Sequence, residues 1–344
     1  MSVHDVLIGN QSLRARLYKA ADEQRMHHCF LFEGPAGIGK AAIALHLAMY
    51  VNCLAEEEGQ RGLAFHRPSR PCGHCRSCQP ILAGSHPDIL QVGPDPSKVT
   101  RIITTEQARN LINALSLQRH SAKRRFVIID PVDALNEEAA NALLKTLEEP
   151  PAGTQFILIT SRAASLLQTV RSRSQRVRFG PVGEAEMIPW LESRNLDPRL
   201  AALSMGSPGR ALALAEGGTQ LAEELLAALC AAIGQPVYQL FAFTEGLGKK
   251  AEGGAERTEL VLDLIEELLR DTVLVANGQS RKVLHPDQLG MLQKWAFGLY
   301  PGGVGRLLGG VANARDRLRL NVNGRVVLEA LLSQLNLELS QVRA

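Results

Sequence analysis

Short β-rich runs punctuate the first half of the chain. They are Cys29 to Phe32, the DILQV run from Asp88, Phe126 to Ile129, the QFILIT run from Gln155 and the QRVRF run from Gln175. Each is rich in β-branched or aromatic residues, and helix-period segments separate them, so residues 1–178 read as an α/β layout with a mostly parallel sheet. In the Phe126 to Ile129 run the apolar residues are consecutive rather than alternate, which predicts a strand covered by helices on both faces. A buried helix segment is the other reading of such a run, and its shortness argues against that.

The pattern changes after Gly180. Residues 179–218 carry short helical segments broken by Asp197-Pro198 and by Gly206-Ser207-Pro208-Gly209, with no strand signal, and predict a small helical lid. From 219 to 344 the spacing is helical, as in Leu260, Leu262, Leu264, Ile265, Leu268 and Leu269 and again in Val327, Leu328, Leu331, Leu332 and Leu335. This predicts a third, all-helical domain, with a polar, Gly-rich connection at Leu247 to Gly254.

Composition narrows the class. Apolar residues make up 45% of the chain and charged residues 21%, which excludes a disordered chain. No run approaches the roughly 18 apolar residues of a membrane span, and the first residues lack the basic and apolar regions of a signal peptide, so a cytoplasmic protein is expected. A net charge of +3 permits nucleic-acid contact without demanding it.

After the first apolar run comes GPAGIGKA, Gly34 to Ala41, and then a helical run. Strand, Gly-rich loop and helix is the context of a phosphate loop. Gly34, Gly37 and Gly39 let backbone N–H groups converge on phosphate oxygens, and Lys40 reaches the outer phosphates. Ala41 stands where the motif needs a Ser or Thr hydroxyl for Mg2+, so ATP or ADP binding is expected with the metal in doubt. A purely structural glycine turn is the alternative. Asp130 ends a buried strand and is a candidate for holding Mg2+. Its neighbour Pro131 occupies the place of the glutamate that would polarise water, and a strand-end carboxylate starting a turn is the bland reading. Ala41 and Pro131 both predict slow or no hydrolysis at this chain's own site.

Cys53 is followed by Cys72, Cys75 and Cys78 in C-x-x-C-x-x-C spacing. In a reducing compartment such thiols are metal ligands before they are disulfides, and four thiolates close a tetrahedral shell, so structural Zn2+ at about 53–78 is expected. Reduced bystander thiols and an iron–sulfur cluster are the other readings. His74 is expected to point outward, and Cys29 and Cys230 to be small core residues.

These features, together with GSHPDI at Gly84 to Ile89, LLKTLEEPP at Leu143 to Pro151 and RSRSQ at Arg171 to Gln175, follow an order that resembles the clamp-loader ATPases of bacterial DNA polymerase III. The resemblance covers essentially the whole chain. It implies an AAA+ nucleotide-binding domain with a zinc-binding insert, a helical lid, and an all-α collar through which subunits assemble. It further implies a hetero-pentamer with gamma/tau and delta subunits, acting on a sliding clamp and on primer–template DNA without sequence specificity. Ser172-Arg173-Ser174 is similar to the family's Ser-Arg-Cys motif, whose arginine enters a neighbour's ATP site; Ser174 replaces the cysteine. Thr160 and Arg210 resemble the family's two phosphate sensors, although a plain strand end and a helix-start turn fit them too. Ala41 and Pro131 set the chain apart from the family's ATP-hydrolysing motor, which is the alternative function. A zinc module that binds single-stranded DNA is a further alternative, disfavoured because the insert lacks interleaved aromatics.

Overall fold

Five strands form where the β-rich runs predict them: β1 (Cys29–Glu33), β2 (Ile89–Val92), β3 (Arg125–Ile129), β4 (Thr154–Thr160) and β5 (Gln175–Arg178). The computed structural model describes residues 7–55, 70–95, 102–248, 254–299, 302–319 and 322–340. The centre of the expected polar connection, 249–253, therefore lies outside the described residues, as does most of the stretch between Cys53 and Cys72. All neighbouring strands pair in parallel, in the order β2-β3-β4-β1-β5.

Every residue of β1, β3 and β4 is buried, as consecutive apolar positions require. One sheet face carries Phe30, Phe32, Phe126, Ile128, Ile157 and Ile159, packed with residues of α1 (Gln11–Asp22), α2 (Lys40–Asn52) and α3 (Cys78–Leu82). The other carries Leu31, Val127, Ile129, Phe156 and Leu158 under α4 (Thr105–Ser116), α5 (Glu137–Glu148) and α6 (Gln168–Ser172). Burial of each such side chain contributes about 1.5–3 kcal/mol before the entropy of ordering it is counted.

Both long helices on that second face start on side-chain caps. Thr104 and Gln107 form a reciprocal capping box at α4, and Asn136 Oδ1 accepts from Ala139 N at 2.8 Å at α5. Between α4 and β3 the chain wraps around Asp88, the aspartate of GSHPDI. Its carboxylate, 1% exposed, accepts from the backbone N–H groups of His120, Ser121 and Ala122 at 2.8–3.0 Å. It also pairs with the buried guanidinium of Arg125 at 3.3 Å.

Beyond β5, α7 (Glu184–Glu192), α8 (Leu200–Leu203) and α9 (Pro208–Ala213) follow without a strand. The chain separates into two compact units, 1–213 and 214–344, so the division falls inside the segment expected as a lid. The second unit holds α10 (Thr219–Ala232), α11 (Val237–Gly248), α12 (Gly254–Ala276), α13 (Leu289–Leu299), α14 (Gly302–Arg319) and α15 (Gly324–Ser340). Its core includes Leu262, Leu264, Ile265, Leu268 and Leu269 of α12 and Val327, Leu328, Leu331, Leu332 and Leu335 of α15. Leu260 is partly buried against that core. No described helix is long and apolar enough to cross a membrane.

Because the strands are parallel, Glu33, Val92, Ile129, Thr160 and Arg178 end along one edge of the sheet, and Cys29, Arg125, Thr154 and Gln175 begin along the other. Ligands of open parallel sheets bind outside the carboxyl ends of the strands, so the first edge is where chemistry is sought.

Candidate functional site

The glycine loop leaves β1 at that carboxyl edge and enters α2 through Gly39, whose φ of 90° suits glycine. Lys40, the first residue of α2, is 6% exposed, and its Nζ donates to the carbonyls of Gly34 at 2.7 Å and Pro35 at 2.5 Å. Burial pushes the Lys40 ammonium down to about 8, against the pull of Asp130 and Asp133. Burial likewise raises the Asp130 carboxyl, opposed by Lys40 and reinforced by Asp133. The structure thus brings Lys40, Asp130 and Thr160 to one edge, as the spacing of loop and strand ends requires.

Asp133 is the residue that sequence reasoning missed here. It accepts the Thr160 hydroxyl at 2.6 Å and pairs with Arg162 at 3.5 Å, while Thr160 Oγ1 accepts from Arg162 N at 2.9 Å. Its signal was its place three residues beyond Asp130, on the short turn that follows β3. With Ala41 and Pro131 in place, no hydroxyl follows Lys40 and no carboxylate adjoins Asp130. The start of α2 and Lys40 place positive groups at this edge, and Asp130 and Asp133 are the carboxylates that act on Lys40.

The segment containing Arg210 packs directly on the glycine loop. Ser207 Oγ donates to Ala36 O at 3.2 Å, and Gly209 N donates to Gly37 O at 2.9 Å. Gly37 has φ 71°, and a Cβ there would lie 2.3 Å from Ser207 Oγ, so both conformation and space require glycine. Arg210 N in turn donates to Ser207 Oγ at 3.2 Å.

Glu33 was also missed. Its carboxylate, at the end of β1, binds Arg178 Nε at 2.7 Å and Arg176 Nε at 3.0 Å. Burial raises this carboxyl, yet the two guanidiniums outweigh burial and hold it below the usual range. Two arginines of the basic run are therefore tied to β1 within the chain. Arg173 lies elsewhere. It caps α6 just before β5, at the amino edge of the sheet, where Ser174 Oγ sits 3.4 Å from Cys29 Sγ at the start of β1. Burial pushes the Cys29 thiol up to about 11, the behaviour of a core cysteine.

The four cysteines meet. Cys53 caps the end of α2, Cys78 starts α3, and the Sγ atoms of Cys53, Cys72, Cys75 and Cys78 all lie within 4.8 Å of one another. Backbone N–H groups aim at the sulfurs: Leu54 and Cys78 at Cys75 Sγ, both 3.4 Å, Cys75 at Cys72 Sγ, 3.4 Å, and Cys72 at Cys53 Sγ, 3.5 Å. Such donors stabilise thiolates. A tetrahedral zinc–sulfur shell with bonds of about 2.3 Å places sulfurs about 3.8 Å apart, so this cluster can hold a metal such as zinc. His74 is exposed and turned away, its ring bonded to Cys72 O at 2.6 Å. Cys75→Ser is expected to abolish one equivalent of bound zinc and to lower the thermal midpoint by roughly 5–10 °C, checked by elemental analysis and melting.

A family model described as DNA polymerase III, delta subunit, matches residues 9–183. The delta′ subunit of DNA polymerase III from Escherichia coli is 33% identical over 310 residues, spanning 87% of this chain and 85% of that protein. The delta′ subunit from Bacillus subtilis is 28% identical over 323 residues, 93% of this chain and 94% of that one. The one from Pseudomonas aeruginosa is 36% identical over 187 residues, 53% of each chain. Matched from the glycine loop through the cysteine cluster to the arginine-bearing strand edge, and related along most of its length to these subunits, the chain belongs to the DNA polymerase III delta′ family.

Proposed function

We propose that this delta′ chain is the clamp-loader subunit that lends an arginine to a neighbour's ATP site and does not itself act as a motor. The observation that carries the reading is the separation of Arg173 from the chain's own phosphate loop. Loop and finger flank opposite ends of β1, a five-residue strand whose ends are roughly 13 Å apart. Arg173 therefore lies at the edge opposite its own phosphate loop, and its use in phosphoryl transfer requires another subunit.

The rest of the assignment follows this division of labour. Residues 1–178 would form an AAA+ module, supported by the parallel sheet with the glycine loop after β1. Residues 179–218 would be a lid that closes on Gly37 through Ser207 and Gly209, with Arg210 as a phosphate sensor. The helices of 219–344 would form a collar joining gamma/tau and delta subunits in a cytoplasmic hetero-pentamer. The assembled ring would open the sliding clamp and deliver it to primer–template DNA through contacts to phosphates, without reading sequence. Zinc would brace the end of α2, and ATP or ADP at Gly34 to Lys40 would serve as a strut.

The alternative is a gamma/tau-like motor using Lys40 and Asp130. In a reconstituted loader, Lys40→Ala in this chain should leave DNA- and clamp-stimulated ATP hydrolysis within about two-fold of wild type. A loss beyond tenfold would select the motor, since an essential phosphate-loop lysine acts directly on the transferring group.

A further inference from the structure

Arg173 is held by its own chain in a specific way. Its Nε donates to Glu148 Oε1 at 2.5 Å, and a second guanidinium nitrogen pairs with the same oxygen. The remaining nitrogen, Nη1, donates to Thr169 O at 2.9 Å and contacts Ser172 Oγ at 3.4 Å. Every nitrogen of the guanidinium is thus engaged, although the side chain is 32% exposed and Glu148 is 43% exposed. Glu148 is the last residue of α5, where a carboxylate faces the negative end of the helix and is locally unfavourable. Its contact with Arg173 offsets that cost.

We propose that Glu148 is a positioning residue that parks the arginine finger until a neighbour's triphosphate displaces it. This rests on the trans-finger reading above. An exposed carboxylate–guanidinium pair is weak, whereas the phosphates of bound ATP carry more charge and accept from a guanidinium in a two-pronged fashion. The finger then leaves Glu148 only when a charged nucleotide is presented, and the pair damps hydrolysis in the loader that holds neither clamp nor DNA. Removing the carboxylate raises the basal rate and spares the stimulated one, because the loader engaged with clamp and DNA already has the arginine in place.

The test uses the complete loader with Glu148→Gln in this chain, a near-isosteric change at an exposed position. Glu148→Asp, which keeps the charge, is the conservative control, and the melting temperature of each variant is recorded. Expected are a rise of about two- to fivefold in ATP hydrolysis without clamp or DNA, the range that an exposed ion pair of up to about 1 kcal/mol converts to, with a lower KM for ATP and unchanged stimulated kcat. The rise should vanish when Arg173→Ala is added, and Glu148→Asp should restore most of the wild-type basal rate. An unchanged or lowered basal rate in Glu148→Gln, while Arg173→Ala alone still depresses the stimulated rate, overturns the parking role and leaves the finger standing. If Arg173→Ala alone changes nothing, the finger reading itself fails.

Discussion

Asp88→Ala should destabilise the sheet-bearing unit by about 3–5 kcal/mol in urea unfolding at pH 7. The carboxylate is the acceptor for three consecutive backbone N–H groups of the loop between α4 and β3, and the counter-charge of Arg125, which is 4% exposed. Arg125 also donates to the carbonyls of Leu115, Leu117 and Gln118, so it cannot swing into water when its partner is removed. The substitution leaves a buried charge uncompensated and three amides without an acceptor, which is the expensive way to break a buried pair. A loss below about 1 kcal/mol would show that the loop is held by something else.

The same group sets an acid limb. Burial raises the Asp88 carboxyl, but the N–H donors of Ser121, Ala122 and His120, together with Arg125, outweigh it and hold the group at about 2. A carboxyl lowered from about 4 in the unfolded chain contributes about 2–3 kcal/mol that is fully present above pH 4 and is lost as pH falls from 4 towards 2. Asp88→Asn should therefore be less stable than wild type at pH 7, and the gap should narrow steadily below pH 4.

β1, β3 and β4 were legible because consecutive apolar residues bounded by glycine and polar turns have few other uses, whereas β5, mostly exposed and carrying Arg176 and Arg178, was legible only from Val177 and Phe179 in its short run. The cysteine cluster was legible because thiol spacing maps directly onto knuckle geometry. Sequence could not reveal that Asp133 takes the Thr160 hydroxyl, that Glu33 binds Arg176 and Arg178, or that Glu148 binds Arg173. Each joins residues between 25 and 145 positions apart, and an acidic side chain at a strand or helix end looks the same whether or not it meets a cation. The Arg171 to Arg178 run is the sharpest case. A solvated basic edge and a functional arginine have the same composition, and sequence does not reveal the parallel register that puts Arg178 beside Glu33 and the start of β5, next to Arg173, at the opposite edge.

Arg173→Ala carries the other large effect. A finger supplied in trans stabilises charge on the transferring phosphoryl group and contributes roughly 10³ to 10⁵ in rate at the site it enters, so that one site should fall silent while the others continue. Lysine cannot reproduce the fork of a guanidinium, so Arg173→Lys should recover little. The decisive measurement is the DNA- and clamp-stimulated ATPase rate of the reconstituted loader carrying Arg173→Ala in this chain alone, beside a loader whose neighbouring subunit has lost its own phosphate-loop lysine. Equal rates in the two, well below wild type, are what the account predicts; a wild-type rate in the Arg173→Ala loader would contradict it and reduce this chain to scaffold.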